Sequence, residues 1–591
     1  MEPISNVVVR HGRGNLTGKA GSVDGAIREL RQISLLETCD IASRLSAVLS
    51  EEHSDSAREQ LRLIRSLLPS SATGILRRLE RAELREQRRD RPKPRHVVFE
   101  ELPALNTVKV ALLASLEFVG VHEHAPENFA RAVLNISDVV DSGPPTPKKA
   151  TDDTRDNLEK WAYYVFVTMI ARHEEDGAHA MARAAEITFR IPSTLVGSDN
   201  FVDVASAIQR RTGLTVAEFW AWLFAIQAHY RLITAANVAT ATSIVDLSSF
   251  FSGEILNFTQ AESEAMCSLF ARTPEAFRLR MHGRFSNADL APFDLSPFYE
   301  TPFVRFDSKI VAPSVRLLIG KLSFGLHHTV QFMLPREERH RYFRLAGESY
   351  ELYVTDMMKR IAIAQGSTHL SEHDLRGTLH VSSAQGQKLA DGVLFDDDSI
   401  LIWDAKAWWP NDKVLGGRSK GEFVAWLRSL VRRAGRQCAN TVRLQRAGAF
   451  AAAGLDDRRR RVLPAVISYM PFPMAPHIER LIRVLVSEEV SAETLGSSEL
   501  AVLTARELEW LEPHLNDTQS LQGLLSDRQD DRSAEGQSLH NYCLARRIPG
   551  YGVIKNPHLE SSYATLMADL DCVVESRGQR DHMSAPDSKS E

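Results

Sequence analysis

The chain has 591 residues, with 71 basic and 76 acidic side chains and a formal net charge of −5. That length suggests roughly three to four domain-sized pieces, and the mildly negative balance excludes a basic nucleic-acid coat, so any phosphate-binding site must be a local patch. The cysteines, Cys39, Cys267, Cys438, Cys543 and Cys572, are scattered without a CxxC pair, which argues against zinc and against a disulfide framework and fits a reducing cytosol.

Segment 1–22 is polar and glycine-containing, without the apolar stretch of a signal peptide, and is expected to be a flexible start. Segment 23–84 carries apolar residues at helical spacing, such as Ile27, Leu30, Ile41, Leu45, Leu61 and Ile64. Across 77–95, nine basic residues stand against four acids. The run reads as a solvated helix entering a Pro-broken linker or, alternatively, as a phosphate-contacting arm. The longest apolar stretch, 110–121, is too short for a membrane span and contains Glu117. The chain is therefore expected to be cytoplasmic and to make no membrane contact.

Residues 141–149, rich in Pro, Gly and Ser, predict a linker. Helices are expected over 158–170 and 215–233, the second with an aromatic stripe suited to core packing. Thr259 and Glu262 form a capping-box signature that opens another helix. The histidines of this region lack metal-ligand spacing. Segment 96–288 reads as an all-α domain without a catalytic motif, and it is the expected contact for a protein partner. No Gly-x-x-x-x-Gly-Lys-Ser/Thr loop is present, which argues against a motor.

From 289 a second kind of pattern begins. A Pro-rich, aromatic lead-in precedes helices over 315–322 and 328–343, the latter interrupted at Pro335. Segment 347–361 is helical, with Tyr350, Tyr353, Val354, Met357, Met358 and Ile361 spaced for burial. Segment 369–380 leads into the first strand region. The stretch 391–406 predicts a tight β-hairpin: Val393, Leu394 and Phe395 form one strand, Asp396 to Ser399 supply turn chemistry, and Ile400 to Trp403 form the other. Alternation places Asp404 and Lys406 on one face, with Asp391 across the hairpin. Two acids and a lysine meeting at a sheet edge suit a hard cation and a positioned water.

The pattern Asp391…Asp404-x-Lys406 resembles the PD-(D/E)xK nuclease superfamily, with its restriction-endonuclease-like core. Ala390 stands where that family usually has proline. The resemblance covers roughly 340–472, where the order helix, hairpin, helix, strand is what the family core requires. It implies that Asp391 and Asp404 bind Mg²⁺ (with Mn²⁺ a substitute), that Lys406 orients or deprotonates the attacking water, and that Glu351, the acid of a Gly-x-x-x-Glu pattern, is a further catalytic acid and metal ligand. Glu348, one turn earlier, is the alternate. Lys413, Arg418 and Lys420 in the following loop, and Arg432, Arg436 and Gln437 on the next helix (422–447), are the implied nucleic-acid contacts. A strand is expected over 462–468, and helices from 474 onward, ending in a disordered polar tail from Glu575.

The expected architecture is mixed α+β: helical regions over 1–95 and 96–288, a nuclease-like αβα domain over 289–472 and a helical segment over 473–591. The expected activity is Mg²⁺-dependent phosphodiester hydrolysis, in DNA rather than RNA, for which a prokaryotic genome-defence or DNA-processing role is a fold-level analogy. A fragment from about residue 289 is expected to keep cleavage. The alternatives are a non-catalytic nucleic-acid-binding or scaffold protein on a retained nuclease fold, and a helical interaction protein with an incidental hairpin.

Overall fold

In the computed structural model, the described residues are 8–584, apart from 52–55, 88–94, 115–123, 141–153, 173–176, 252–255, 283–289, 380–387, 408–409, 450, 452–459, 498 and 553. The expected linker at 141–149 and much of the basic run before residue 95 lie outside them. The fold is mixed α+β. The elements that build the site are, in chain order, α1 (Arg155–Ala171), α2 (Arg339–Gln365), β1 (Thr368–Ser371), α3 (Glu372–Leu379), β2 (Gly392–Phe395), β3 (Ser399–Lys406), α4 (Lys420–Arg446), β4 (Arg461–Ser468), α5 (Pro476–Glu489), β5 (Ala501–Thr504) and α6 (Pro557–Ser584).

The strands form a five-stranded sheet in the order β5-β4-β3-β2-β1. β1, β2 and β3 are an antiparallel meander; β4 runs parallel to β3 and β5 parallel to β4. β3 is the central strand and not an edge, so the expectation of a site on a sheet edge is corrected. Seven of its eight residues are buried, which is why Ile400 to Trp403 read as a continuous apolar run and not as an alternating one. Ile400 and Ile402 face a core made with α1, α4 and α5. Leu401, Trp403 and Ala405 face a core made with α2 and the helices beyond β5. Asp396 closes the hairpin by accepting the backbone N–H groups of Asp398 and Ser399 at 3.0 and 2.8 Å, as an Asx turn does. Pro464, which has no N–H, stands one residue before pairing with β5 begins.

Gly392 is required by close approach. A Cβ there would lie 2.5 Å from the Trp403 ring, and Trp403 is fully buried. The indole thus covers the backbone next to Asp391, and truncating it is expected to cost about 3–5 kcal/mol.

Three further expectations are corrected. Within 1–22, Val8–Arg10 pairs in parallel with Arg95–Val97, and Arg13–Thr17 is helical. The region 96–288 is not all-α: Val245–Asp246 and Ala271–Arg272 join Phe303–Phe306 and Lys309–Val311 in a four-stranded sheet. Two-residue strands are too short to show a period of two. Segment 473–591 contains β5, and the chain does not become disordered at Glu575, since α6 continues to Ser584.

The cores also cross the expected boundaries. Ala162, Phe166, Val167 and Ile170 of α1 pack on the site sheet. Leu566, Leu570 and Val573 of α6 join the core of the N-terminal helices. Arg577 on α6 is 2% exposed, pairs with Glu218 and Glu262 at 2.8 and 3.0 Å, and lies over the Phe258 ring. A fragment from residue 289 would lose α1 from one face of the sheet, which removes the basis for expecting it to fold alone.

Candidate active site

Three carboxylates converge from three elements. Glu351 comes from the middle of α2, Glu372 from the first turn of α3 and Asp391 from the residue before β2, and one oxygen of each lies within 4.8 Å of the others. The local structure explains the meeting. Ser371 and Asp374 form a capping box that starts α3 directly after β1, with Ser371 N donating to Asp374 at 2.9 Å and Asp374 N donating to Ser371 Oγ at 3.3 Å. Glu372 N then donates to the Asp391 carbonyl at 2.7 Å. Asp391 Oδ2 accepts the Ala405 N–H across the hairpin at 2.7 Å.

The segment leading into Asp391 is held by α4. Gln437 donates to Leu389 O at 2.9 Å, Asn440 donates to Lys388 O at 2.9 Å, and Ala390 N donates to Thr441 Oγ1 at 2.9 Å. Gln437, expected to touch nucleic acid, is thus occupied in positioning the approach to Asp391.

Asp404 is fully buried at the end of β3. Lys406 Nζ lies 2.5 Å from Asp404 Oδ2 and donates to Ala405 O at 3.2 Å. Asp404 Oδ1 is buried without a hydrogen-bond partner. The Asp391 and Asp404 carboxyls come within hydrogen-bonding reach of each other, so a proton or a cation must offset their repulsion. Burial is the main cause that raises both pKa values; beside Asp404, the Asp391 charge adds to it. Burial, followed by the charges of Asp391 and Glu372, pushes Glu351 up to about 8. Burial alone would lower Lys406, but Asp404 and Asp391 more than reverse this and keep it an ammonium.

Glu351, Glu372, Asp391 and Asp404 carry four negative charges when ionised. Against them stand Lys406 and Arg376, which pairs with Glu372 at 2.5 Å. The balance is two negative charges, the charge a divalent cation would cancel. All the donors are hard oxygens, which suit Mg²⁺ or Mn²⁺.

Of the expected ligands, Glu351 and Asp391 belong to the three-carboxylate group, while Asp404 lies beside it, paired with Lys406. Glu348 bends away and accepts from Ser198 Oγ at 3.4 Å. The sequence carries one signal for Glu372, the Ser371-x-x-Asp374 box, which fixes a helix start but says nothing about what the helix faces. Among the expected nucleic-acid contacts, Lys413 pairs with Glu422, Arg418 with Asp294, and Lys420 with Asp156 and Glu159. Arg432 and Arg436 are exposed on α4.

This geometry makes a prediction about ligand identity. Glu351→Gln and Glu372→Gln are each expected to weaken Mn²⁺ binding by roughly ten-fold or more, and Glu348→Gln to leave it unchanged, as measured by calorimetric titration. A larger loss in Glu348→Gln than in Glu351→Gln would assign the helix position to the wrong acid.

Among the described residues no helix is long and apolar enough to cross a membrane. Comparison with protein-family models, with curated proteins and with solved structures finds no match.

Proposed function

We propose that the chain is a divalent-metal-dependent nuclease on a restriction-endonuclease-like core. The observation that carries this reading is the convergence of Glu351, Glu372 and Asp391 beside the buried Asp404–Lys406 pair. The strand order supports it: an antiparallel meander, a helix and then a parallel strand, with the acids at the start of β2 and the end of β3. Glu351, Glu372 and Asp391 would hold Mg²⁺, with Asp404 adjoining. A bound Mg²⁺ ion relieves charge on the phosphoryl oxygens and acidifies water. Lys406, kept charged by Asp404, orients the attacking water and offsets charge that develops in the transition state. Gln437, Asn440 and Thr441 fix the segment 388–390 that leads into Asp391. DNA is the proposed substrate.

The test is incubation of the full-length protein with circular and with linear DNA in Mg²⁺ and in EDTA. Cleavage confined to the Mg²⁺ arm is the expected result. DNA left intact by metal-loaded protein would reject the nuclease reading, and a gel shift under those conditions would select non-catalytic binding.

The raised pKa values make a second prediction. Without metal, native Glu351 keeps its proton up to about pH 8, whereas the ordinary value is 4.5. The native state therefore binds the proton more tightly than the unfolded chain, so this contribution to stability is fully present below about pH 4.5 and is lost as pH rises through about 8. Mg²⁺ favours the ionised carboxylates and displaces that proton. Thermal melts are expected to show metal-free stability declining from pH 5 to pH 8.5, and a stabilising effect of Mg²⁺ that is larger at pH 8.5. An equal effect at both pH values would show that these acids do not take the ion.

A further inference from the structure

The helix that carries Glu351 runs past the sheet. α2 ends at Gln365, and β1 follows at Thr368, which pairs with Phe395 at the end of the sheet away from the acids. Ser371 pairs with Gly392 at the end beside Asp391. α2 therefore enters over the acidic end of the sheet and leaves over the other. Its core contacts record the same path: Tyr350, Tyr353 and Met357 pack on the sheet, whereas Tyr342 and Leu345 belong to the core of the N-terminal helices. From Arg339 to Glu351, α2 projects beyond the acidic end for about 18 Å, at about 1.5 Å per residue.

That projection is rich in open positive charge. Between Arg336 and Gly347, the arginines Arg336, Arg339, Arg341 and Arg344 stand against Glu337 and Glu338. None of these arginines pairs with a carboxylate among the described residues. Arg339 donates to the carbonyls of Leu334 and Phe332, Arg341 donates to the carbonyl of Phe201, and Arg344 meets His340 at 3.3 Å. The cations after β3 differ, since Lys413, Arg418 and Lys420 are each engaged by acids. His340, Arg344 and Glu351 follow i, i+4 and i+11 spacing and share one stripe of α2, with Arg341 less than a quarter turn aside. The stripe passes from exposed at His340 and Arg344 to half-buried at Glu351. Between Arg344 and Glu351, a Cβ added at Gly347 would meet nothing within 4 Å, and Glu348 turns aside to Ser198.

Resting on the nuclease reading, we infer that this face of α2 is a track for the DNA backbone on one side of the cut, with Arg344 and Arg341 on neighbouring phosphates. The guanidinium suits this role through its permanent charge and its planar fork of donors. Seven residues of helix set Arg344 about 10 Å from Glu351 along the axis. One strand of a duplex carries a phosphate about every 3.4 Å along its own axis. Arg344 then meets the backbone roughly three phosphates from the metal ligands. Such contacts position the strand and carry no base sequence.

The test uses the full-length protein and a short labelled DNA duplex in Ca²⁺, with affinity measured from about 50 to 200 mM salt. Each phosphate contact adds about 0.9 to the slope of log affinity against log salt. Arg344→Gln is expected to lower that slope by about 1 and Arg341→Gln/Arg344→Gln by about 2, whereas Arg344→Lys, which keeps the charge, should retain most of it. Melting temperature and Mn²⁺ affinity should not move, because both side chains are exposed and neither belongs to the acidic group. Arg211→Gln removes the same charge from an exposed position on the helix Val204–Thr212 and should leave the slope unchanged. A slope unaltered in Arg341→Gln/Arg344→Gln, or lowered equally in Arg211→Gln, overturns the track, and if the parent still cuts DNA in Mg²⁺, the nuclease reading stands without it. A parent that binds no DNA overturns it too, and binding of poly-glutamate that depends on Arg344 would then make this face a protein contact. A slope lowered as expected, in a parent that cuts no nucleic acid, keeps the track and rejects the nuclease.

Discussion

Asp391→Asn should retain the fold and lose catalysis. Asp391 is 5% exposed, and its Oδ2 accepts the Ala405 N–H at 2.7 Å. The asparagine amide oxygen can accept the same bond, so the hairpin keeps its cross-strand contact. The substitution also removes one of two carboxyls that repel each other within hydrogen-bonding reach, which lowers the cost of burying the other. What disappears is the charge shared by the three-carboxylate group. Electrostatic help from a bound divalent ion is worth several kcal/mol in the transition state, so the expected loss is about a thousand-fold in single-turnover cleavage. The melting temperature without metal should stay at or above that of the parent, and the Mg²⁺-induced rise should shrink. A variant that cuts at the parental rate would remove Asp391 from the site.

The second large effect concerns the Asp404–Lys406 pair and separates charge burial from catalysis. Acids at the edge of a sheet, as the sequence suggests for this pair, would be solvated, and their removal would do little harm to the fold. The structure corrects that for Asp404, which is fully buried with Lys406 Nζ at 2.5 Å. Asp404→Ala strands a largely buried ammonium, and losing one partner of a buried pair costs about 3–5 kcal/mol. Lys406→Met should cost less, because the carboxyls it leaves already have raised pKa values and can take up a proton. The Asp404→Ala/Lys406→Met double variant should then be more stable than Asp404→Ala alone. Denaturant unfolding of the four proteins measures the cycle. Lys406→Met is also expected to slow cleavage by roughly 10²- to 10⁴-fold while Mn²⁺ still binds. Additive stabilities across the cycle would show that the pair is not coupled.

The parts of the site visible in the sequence are those that lie on one local element. Asp391, Asp404 and Lys406 belong to a hairpin whose apolar strands and Asp-rich turn mark its register, and Glu351 belongs to a helix whose buried stripe is regular. Glu372 was not legible, because its place depends on α3 starting immediately after β1 and on a hydrogen bond to the Asp391 carbonyl. The central position of β3 was equally hidden. It needs β5, a four-residue strand amid helical sequence, and β4 to lie on its far side. Phe166 packs against Phe423 and Trp426, more than two hundred residues away, and no local pattern reports a contact of that range. The helical position of Gln437 places it in the right neighbourhood, but its amide secures Leu389 O and does not face outward.

The return of α6 into the N-terminal core bears on how the protein is made. Leu566, Leu570 and Val573 complete a core that otherwise begins near Leu16, and Arg577 ties that last helix to Glu218 and Glu262. During synthesis, the first helices leave the ribosome long before the helix that covers them has been translated. Their apolar surface stays open until α6 has been translated, so a message cut short of that helix yields a chain with an unfinished core and an early appeal to chaperones or proteases. The core closes only once α6 has emerged.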